Sequence, residues 1–259
     1  RLITDRDMRL AFLIGASLMF ACGLLTWRAV RDVSDDGALE RSWRDLGPLL
    51  RNRRLVLFLV LVTLLQVGSS PVYIFFSVFM EDLGATNQQL GLAFAIQALS
   101  ELPIFFAATA LVDRLGTVWV VFLAALLFAS RAFLYVFISQ PALAIAAQVF
   151  QGAFALFMAG SVEHVNRLLP SQWQSTGQTL FSAAYFSAGS ILGNALGGYL
   201  YDRLGPHTMF GLNAALILLV ALAMRFTLQD VPTDDARDRA DSSASGGQGD
   251  RSEGDEVNS

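Results

Sequence analysis

Long apolar runs alternate along this chain with short polar connections. Seven runs are long enough to cross a bilayer: Met8–Ala29, Leu55–Met80, Gln89–Leu111, Thr117–Ile138, Ala142–Leu168, Thr176–Tyr201 and Thr208–Leu228. A spanning helix needs about 20 predominantly apolar residues. Each run is predicted to be one helix, and the period-2 alternation of a membrane β-barrel is absent. The expected fold is an all-α membrane protein with seven transmembrane helices. Composition agrees, at 54% hydrophobic and 15% charged residues with a mean hydropathy of +0.50, values outside the soluble-domain range.

Charge orients the runs. Every one of the 18 basic residues is Arg. Seven of them, Arg28, Arg31, Arg41, Arg44, Arg51, Arg53 and Arg54, crowd the connection between the first two runs. The positive-inside rule makes that connection cytoplasmic, and alternation assigns the other loops. The net charge of −4 hides an acidic end: residues 229–259 hold nine acids against three Arg. That end is polar and Ser/Gly-rich, so it is expected to be a disordered cytoplasmic tail. The connection is expected to be a solvated linker, with one short amphipathic stretch at Ala38–Leu46. The chain opens on Arg1 rather than Met and is expected to be a fragment or a processed product.

The polar residues inside the runs are the candidate chemistry. Glu101 lies in the third run, two residues before Pro103. An acid at membrane depth is costly and normally faces a protein interior or a water-filled cavity. Pro103 cannot donate to the carbonyl of Leu99, so a backbone acceptor is freed beside the carboxylate. Arg131 lies in the fourth run. At about 1.5 Å per residue, Glu101 and Arg131 sit roughly 15 and 21 Å from the cytoplasmic ends of their runs. An extended Arg can bridge that difference, so a Glu101–Arg131 ion pair is expected, either permanent or broken when a solute binds. Gln66, Ser69, Ser70 and Tyr73 fall at i, i+3, i+4 and i+7, one polar face of the second run, with Pro71 freeing the carbonyl of Val67. Gln97 lies one turn before Glu101, and Gln148 and Gln151 share a face of the fifth run. Glu101, Arg131, Gln97, Gln66, Ser70, Tyr73, Gln148 and Gln151 are therefore the expected lining of a solute or ion cavity. Each amide alone reads equally well as an interhelical hydrogen bond.

Other features read as architecture. Gly189, Gly193 and Gly197 form a row for close helix packing. Ser175 with Gln178 reads as a capping box. Glu163, His164 and Arg167 read as a solvated interfacial cluster. The only two His residues lie near interfaces without a catalytic partner, and no metal or cofactor motif is present. An enzyme is not expected, and nothing resembles a nucleic-acid footprint.

A short motif occurs twice. Leu111-Val-Asp113-Arg114-Leu-Gly116 matches Leu200-Tyr-Asp202-Arg203-Leu-Gly205, with three runs between the copies. An odd number of spans puts the copies on opposite faces, as in an inverted repeat of three helices. The Asp of each copy is expected to cap a helix entry.

With this repeat, the long linker and six runs after it, the chain resembles the C-terminal half of a major facilitator superfamily transporter, preceded by the last helix of the N-terminal half. The resemblance implies four segments: residues 1–30 as that last helix, 31–54 as the cytoplasmic linker, 55–228 as a six-helix half built from a three-plus-three inverted repeat, and 229–259 as the tail. The superfamily's Gly-x-x-x-Asp-Arg-x-Gly loop stands intact at Gly198, Asp202, Arg203 and Gly205, while Thr109 replaces the first Gly of the Asp113-Arg114-Gly116 copy. Glu101 with Pro103, Arg131, and the Pro170…Thr176-Gly177-Gln178 entry are similar to the lactose permease, phenylpropionate and nucleoside permease-like group. Where the lactose permease has its relay His and coupling Glu, this chain has Gln151 and Phe154. The resemblance implies a secondary active transporter in the cell membrane that moves a small organic solute, with protons as the coupling ion, and that works together with a missing N-terminal half. A non-transporting scaffold or receptor of the same fold is the other class the residues leave open.

Overall fold

The computed structural model describes residues 13, 16–17, 19–26, 49 and 51–230. Two units separate, residues 1–48 and 49–259. In the first, residues 19–26 are helical, and the Thr26 hydroxyl donates to the Cys22 carbonyl at 2.8 Å. The expected linker through residue 48, its stretch Ala38–Leu46, and the tail from residue 231 lie outside the described residues.

Among its described residues the second unit is helical throughout its regular structure. Its elements are α1 (Arg53–Ile74), α2 (Phe76–Asp82), α3 (Asn87–Leu115), α4 (Thr117–Leu134), α5 (Pro141–Ala146), a 3-10 segment (Ala147–Gly152), α6 (Ala153–Leu168), a 3-10 turn (Ser171–Trp173), α7 (Gln174–Ser182), a π-helical turn (Ala183–Gly189), α8 (Ser190–Leu204) and α9 (Pro206–Thr227). Among the described residues five columns are long and apolar enough to span: Arg53–Asp82, Asn87–Leu115, Thr117–Leu134, Pro141–Leu168 and Pro206–Thr227. The run expected at Thr176–Tyr201 is instead a broken column of α7, the π-helical turn and α8. Its many Ser, Thr, Gln and Asn side chains lower its hydropathy, and the wide turn interrupts its hydrogen-bond ladder.

Local chemistry sets the helix ends. The Asn52 side chain accepts from the backbone N–H groups of Arg54 and Leu55 and so opens α1. Pro71 sits inside α1, and one residue, Phe75, separates α1 from α2. Thr86 and Gln89 form a reciprocal capping box at the start of α3. The box expected at Ser175–Gln178 does not form. A 3-10 turn leads straight into α7 at Gln174, and Gln178 donates instead to Asn166 Oδ1 and the Val162 carbonyl on α6.

The repeated motif has the same backbone in both copies. Gly116 at φ +85° joins α3 to α4, and Gly205 at φ +80° joins α8 to α9. Glycine is needed there because a Cβ disfavours positive φ. The Asp residues do not cap helix entries as expected. Asp113 with Arg114 and Asp202 with Arg203 lie in the last turns of α3 and α8, where the free groups are carbonyls, not N–H donors. Gly116 has no side chain to cap α4. Asp230, just past the end of α9, does it: its Oδ1 accepts from the Val118 N–H at 2.9 Å and from Thr117 Oγ1 at 3.2 Å. The start of the expected tail is therefore docked. Asp230→Ala is expected to cost about 1 kcal/mol, the usual worth of an N-cap, measurable as a lowered thermal midpoint. At the other copy Pro206, whose missing N–H is harmless at the first helical position, opens α9.

The core gathers where α1, α4, α6 and α9 meet. Phe76, Phe79, Tyr135 and Phe210 interlock their rings at centroid distances of 5.0–5.8 Å. A second aromatic group, Phe58, Phe157, Phe181 and Tyr185, packs between α1, α6 and the α7–α8 column. Large apolar side chains also cover the outside, Phe106 and Phe226 among them at over 80% exposure. Such a surface suits lipid, whose tails are as apolar as Leu.

Candidate functional site

A cavity of about 510 Å³ opens among the helices of the second unit. Gln66, Ser69, Ser70 and Tyr73 reach it from α1, so the polar face read from their spacing is one wall. Gln97 and Glu101 come from α3, Arg131 from α4, and Gln151 from the 3-10 segment. Seven of the eight residues expected to line a cavity do line this one. Gln148 does not. It is fully buried behind Arg131, one turn too early on its segment to reach the space.

Arg131 is 3% exposed and is held by neutral groups. Its Nε donates to Tyr135 Oη at 3.0 Å, its Nη2 to Gln148 Oε1 at 2.7 Å, and its Nη1 to Gln151 Oε1. The rings of Tyr135 and Phe76 lie 5.6 and 6.0 Å from its Cζ, within cation–π range. The expected Glu101–Arg131 ion pair is not formed. Among the described residues the Glu101 carboxylate has no hydrogen-bond or ion-pair partner, and the ion pair found is Glu163–Arg167 at 2.8 Å. The two glutamines, on the segment packed beside α4, occupy the guanidinium first.

Tight contacts at glycine bring this wall together. A Cβ on Gly152 would lie 2.5 Å from the Ser100 carbonyl, so only glycine lets the segment carrying Gln148 and Gln151 touch α3 next to Glu101. On the opposite contact, a Cβ on Gly193 would lie 2.6 Å from the Val67 carbonyl, the acceptor that Pro71 frees. The glycine row of α8 therefore seats on the interrupted stretch of α1.

Several lining residues escaped the sequence reading. Ser190 and Asn194 of α8 face the polar wall of α1. Gln66 Nε2 donates to Ser190 Oγ at 3.0 Å, and Ser70 Oγ donates to Asn194 Oδ1 at 2.8 Å. Their i, i+4 spacing was a usable signal, masked by the glycine row beside it. Tyr185 and Phe186 of the π-helical turn and Phe128 and Phe154 supply aromatic surface. Ser69 Oγ, Gln97 Oε1 and Gln148 Nε2 are buried without a hydrogen-bond partner.

The Glu163–His164–Arg167 group is only partly the solvated cluster expected. Glu163 and Arg167 pair one turn apart, but His164 is 2% exposed. Its Nδ1 meets Thr117 Oγ1 at 2.8 Å and its ring packs on Phe58, so it ties α6 to the capped start of α4.

Residues 8–212 match the profile of the MFS_1 like family, most of the chain. The chain belongs to that family, within the major facilitator superfamily. The maltose permease of Geobacillus stearothermophilus is 33% identical over 72% of this MFS_1 like chain and 47% of its own length. An uncharacterised transporter of Bacillus subtilis, YwbF, is 27% identical over 63% of the chain and 41% of its own. The quinolone resistance protein NorA of Staphylococcus aureus is 26% identical over 58% and 39%. The chain thus spans less than half the length of these curated relatives. Family and apolar helices together make it a multi-pass membrane protein.

Proposed function

We propose that this chain is the C-terminal half, with the preceding helix, of a secondary active transporter that moves a small organic solute by alternating access. The observation that carries the reading is the cavity: acid, base and amides from four elements share one space within apolar helices that lipid would otherwise have to solvate. Relatives named as a permease and a transporter support it. Their printed roles, maltose in one and quinolone resistance in another, differ too much to choose a solute.

In this reading Glu101, Arg131, Gln97, Gln66, Ser70, Tyr73 and Gln151 contact the solute or ion, and Gln148 positions Arg131. The equal backbone at Gly116 and Gly205 supports a three-plus-three inverted repeat, with Asp113-Arg114 on the cytoplasmic face and Asp202-Arg203 outside. The likeness to the lactose permease group belongs to the same proposal. Without the relay His and Glu of that permease, Glu101 is the membrane-depth acid left to exchange a proton, and it is unpaired among the described residues. The linker and tail lie in the cytoplasm, and the missing half supplies the facing wall.

The test uses the full-length transporter in whole cells given a ¹³C-labelled cell extract, read by mass spectrometry. At least one solute is expected to accumulate or deplete only in expressing cells, and Glu101→Gln is expected to reduce that by about tenfold or more, the equivalent of about 1.4 kcal/mol. Unchanged, saturable movement in Glu101→Gln would remove this acid from the mechanism. Movement of no solute would remove the transporter reading itself.

A further inference from the structure

The Arg131 guanidinium presents a charge that the described residues leave unbalanced. It is almost fully buried, and each of its three hydrogen bonds goes to a neutral oxygen, of Tyr135, Gln148 or Gln151. No carboxylate among the described residues comes within ion-pair distance. A buried cation in low-dielectric surroundings needs a counter-charge, and three neutral acceptors solvate it only in part. Arg has five N–H donors, so two remain beyond the three bonds formed here. Arg131 is also among the residues that line the cavity.

The surroundings fix the guanidinium rather than neutralise it. Gln148 and Gln151 both turn their carbonyl oxygens to it, and the buried Gln148 Nε2 is left without a partner. The rings of Phe76 and Tyr135 lie within cation–π range of its Cζ. A planar, pre-oriented fork at a cavity wall is what recognition of a carboxylate or phosphate requires. Glu101, on a different helix of the same cavity, does not fill that place.

We propose that the solute carries an anionic group, a carboxylate or a phosphate, which docks on Arg131. This rests on the transporter reading and narrows it to a substrate class. A purely structural Arg131, tying α4 to the 3-10 segment, would give no preference for charge in what is moved.

The experiment reconstitutes the full-length protein in liposomes and exposes them to a ¹³C-labelled cell extract, resolved on an anion exchanger before mass spectrometry. Protein-free liposomes set the background. Solutes that accumulate through the protein are expected to be anions, and their masses distinguish carboxylates from phosphates. Arg131→Gln is expected to lower their accumulation by about tenfold or more, the loss that follows removal of a charge-assisted hydrogen bond. Gln151→Glu, which brings a carboxylate to the guanidinium without removing it, is expected to do the same and carries the test if Arg131→Gln does not reconstitute. Accumulation of only neutral or cationic solutes would overturn the anion assignment and leave the transporter reading standing. So would anion accumulation that is undiminished in either variant. No protein-dependent accumulation at all would end both.

Discussion

Gly193→Val in the full-length protein is expected to be among the most destabilising single changes in this unit. The added Cβ would meet backbone, at 2.6 Å from the Val67 carbonyl oxygen and 2.9 Å from the Val67 Cα. Backbone cannot rotate aside as a side-chain end can, so α8 must move off α1. Overpacking typically costs about 1–3 kcal/mol, and a contact that is all main chain belongs at the upper end. The same displacement would break the Ser70–Asn194 and Gln66–Ser190 bonds and widen the cavity. Gly211→Ala on α9 is the control. Its Cβ would meet Val136 Cγ2 at an ordinary 3.5 Å, and alanine favours the helix by roughly 0.8–1 kcal/mol over glycine. Thermal unfolding in detergent should therefore move down for Gly193→Val and hold or rise for Gly211→Ala. A midpoint for Gly193→Val within a degree or so of the parent would show that the two helices are not in this contact.

The second large effect is expected at Arg131→Met. The new side chain fills similar space but offers no donor. Gln148 Oε1, on a fully buried residue, and Gln151 Oε1 lose their partner together. Leaving a buried acceptor unsatisfied costs about 1–3 kcal/mol, so the pair should cost roughly 2–6 kcal/mol. Burial of the cation itself is expensive, which offsets part of this, and a second variant separates the two contributions. In Arg131→Met/Gln148→Met/Gln151→Met the guanidinium and both amides leave at once, and stability is expected to return most of the way to the parent's, because only the buried Tyr135 hydroxyl loses its partner. The comparison is read from thermal midpoints. A triple variant no more stable than Arg131→Met would mean that packing, not polar satisfaction, holds α4 against the 3-10 segment.

Particular residues show where the sequence was legible. The face made by Gln66, Ser69, Ser70 and Tyr73 could be read because helical spacing is a local property, and the wall it predicts is the wall observed. Gly116 and Gly205 could be paired by motif, and their φ values agree within a few degrees. The partner of Arg131 could not be read. Depth along two helices allowed Glu101, but rotation of each helix about its axis decides which side chains meet, and it delivered Gln148 and Gln151. Asp230 was invisible for a similar reason. Its composition marked it as part of a polar tail, while its role depends on α9 ending beside the uncapped start of α4.

What the amino-acid order determined by itself is five of the apolar columns, the polar face of α1 and the glycine-marked turns. These follow from hydrophobicity, helical period and backbone sterics, which act over a few residues at a time. Tertiary structure alone decided that α8 seats its glycines on the stretch of α1 interrupted by Pro71, that Glu101 stands unpaired among the described residues, and that Arg131 is fixed by neutral oxygens at the edge of a cavity. Those outcomes depend on how helices distant in sequence rotate and close on one another, and packing rather than spacing sets that.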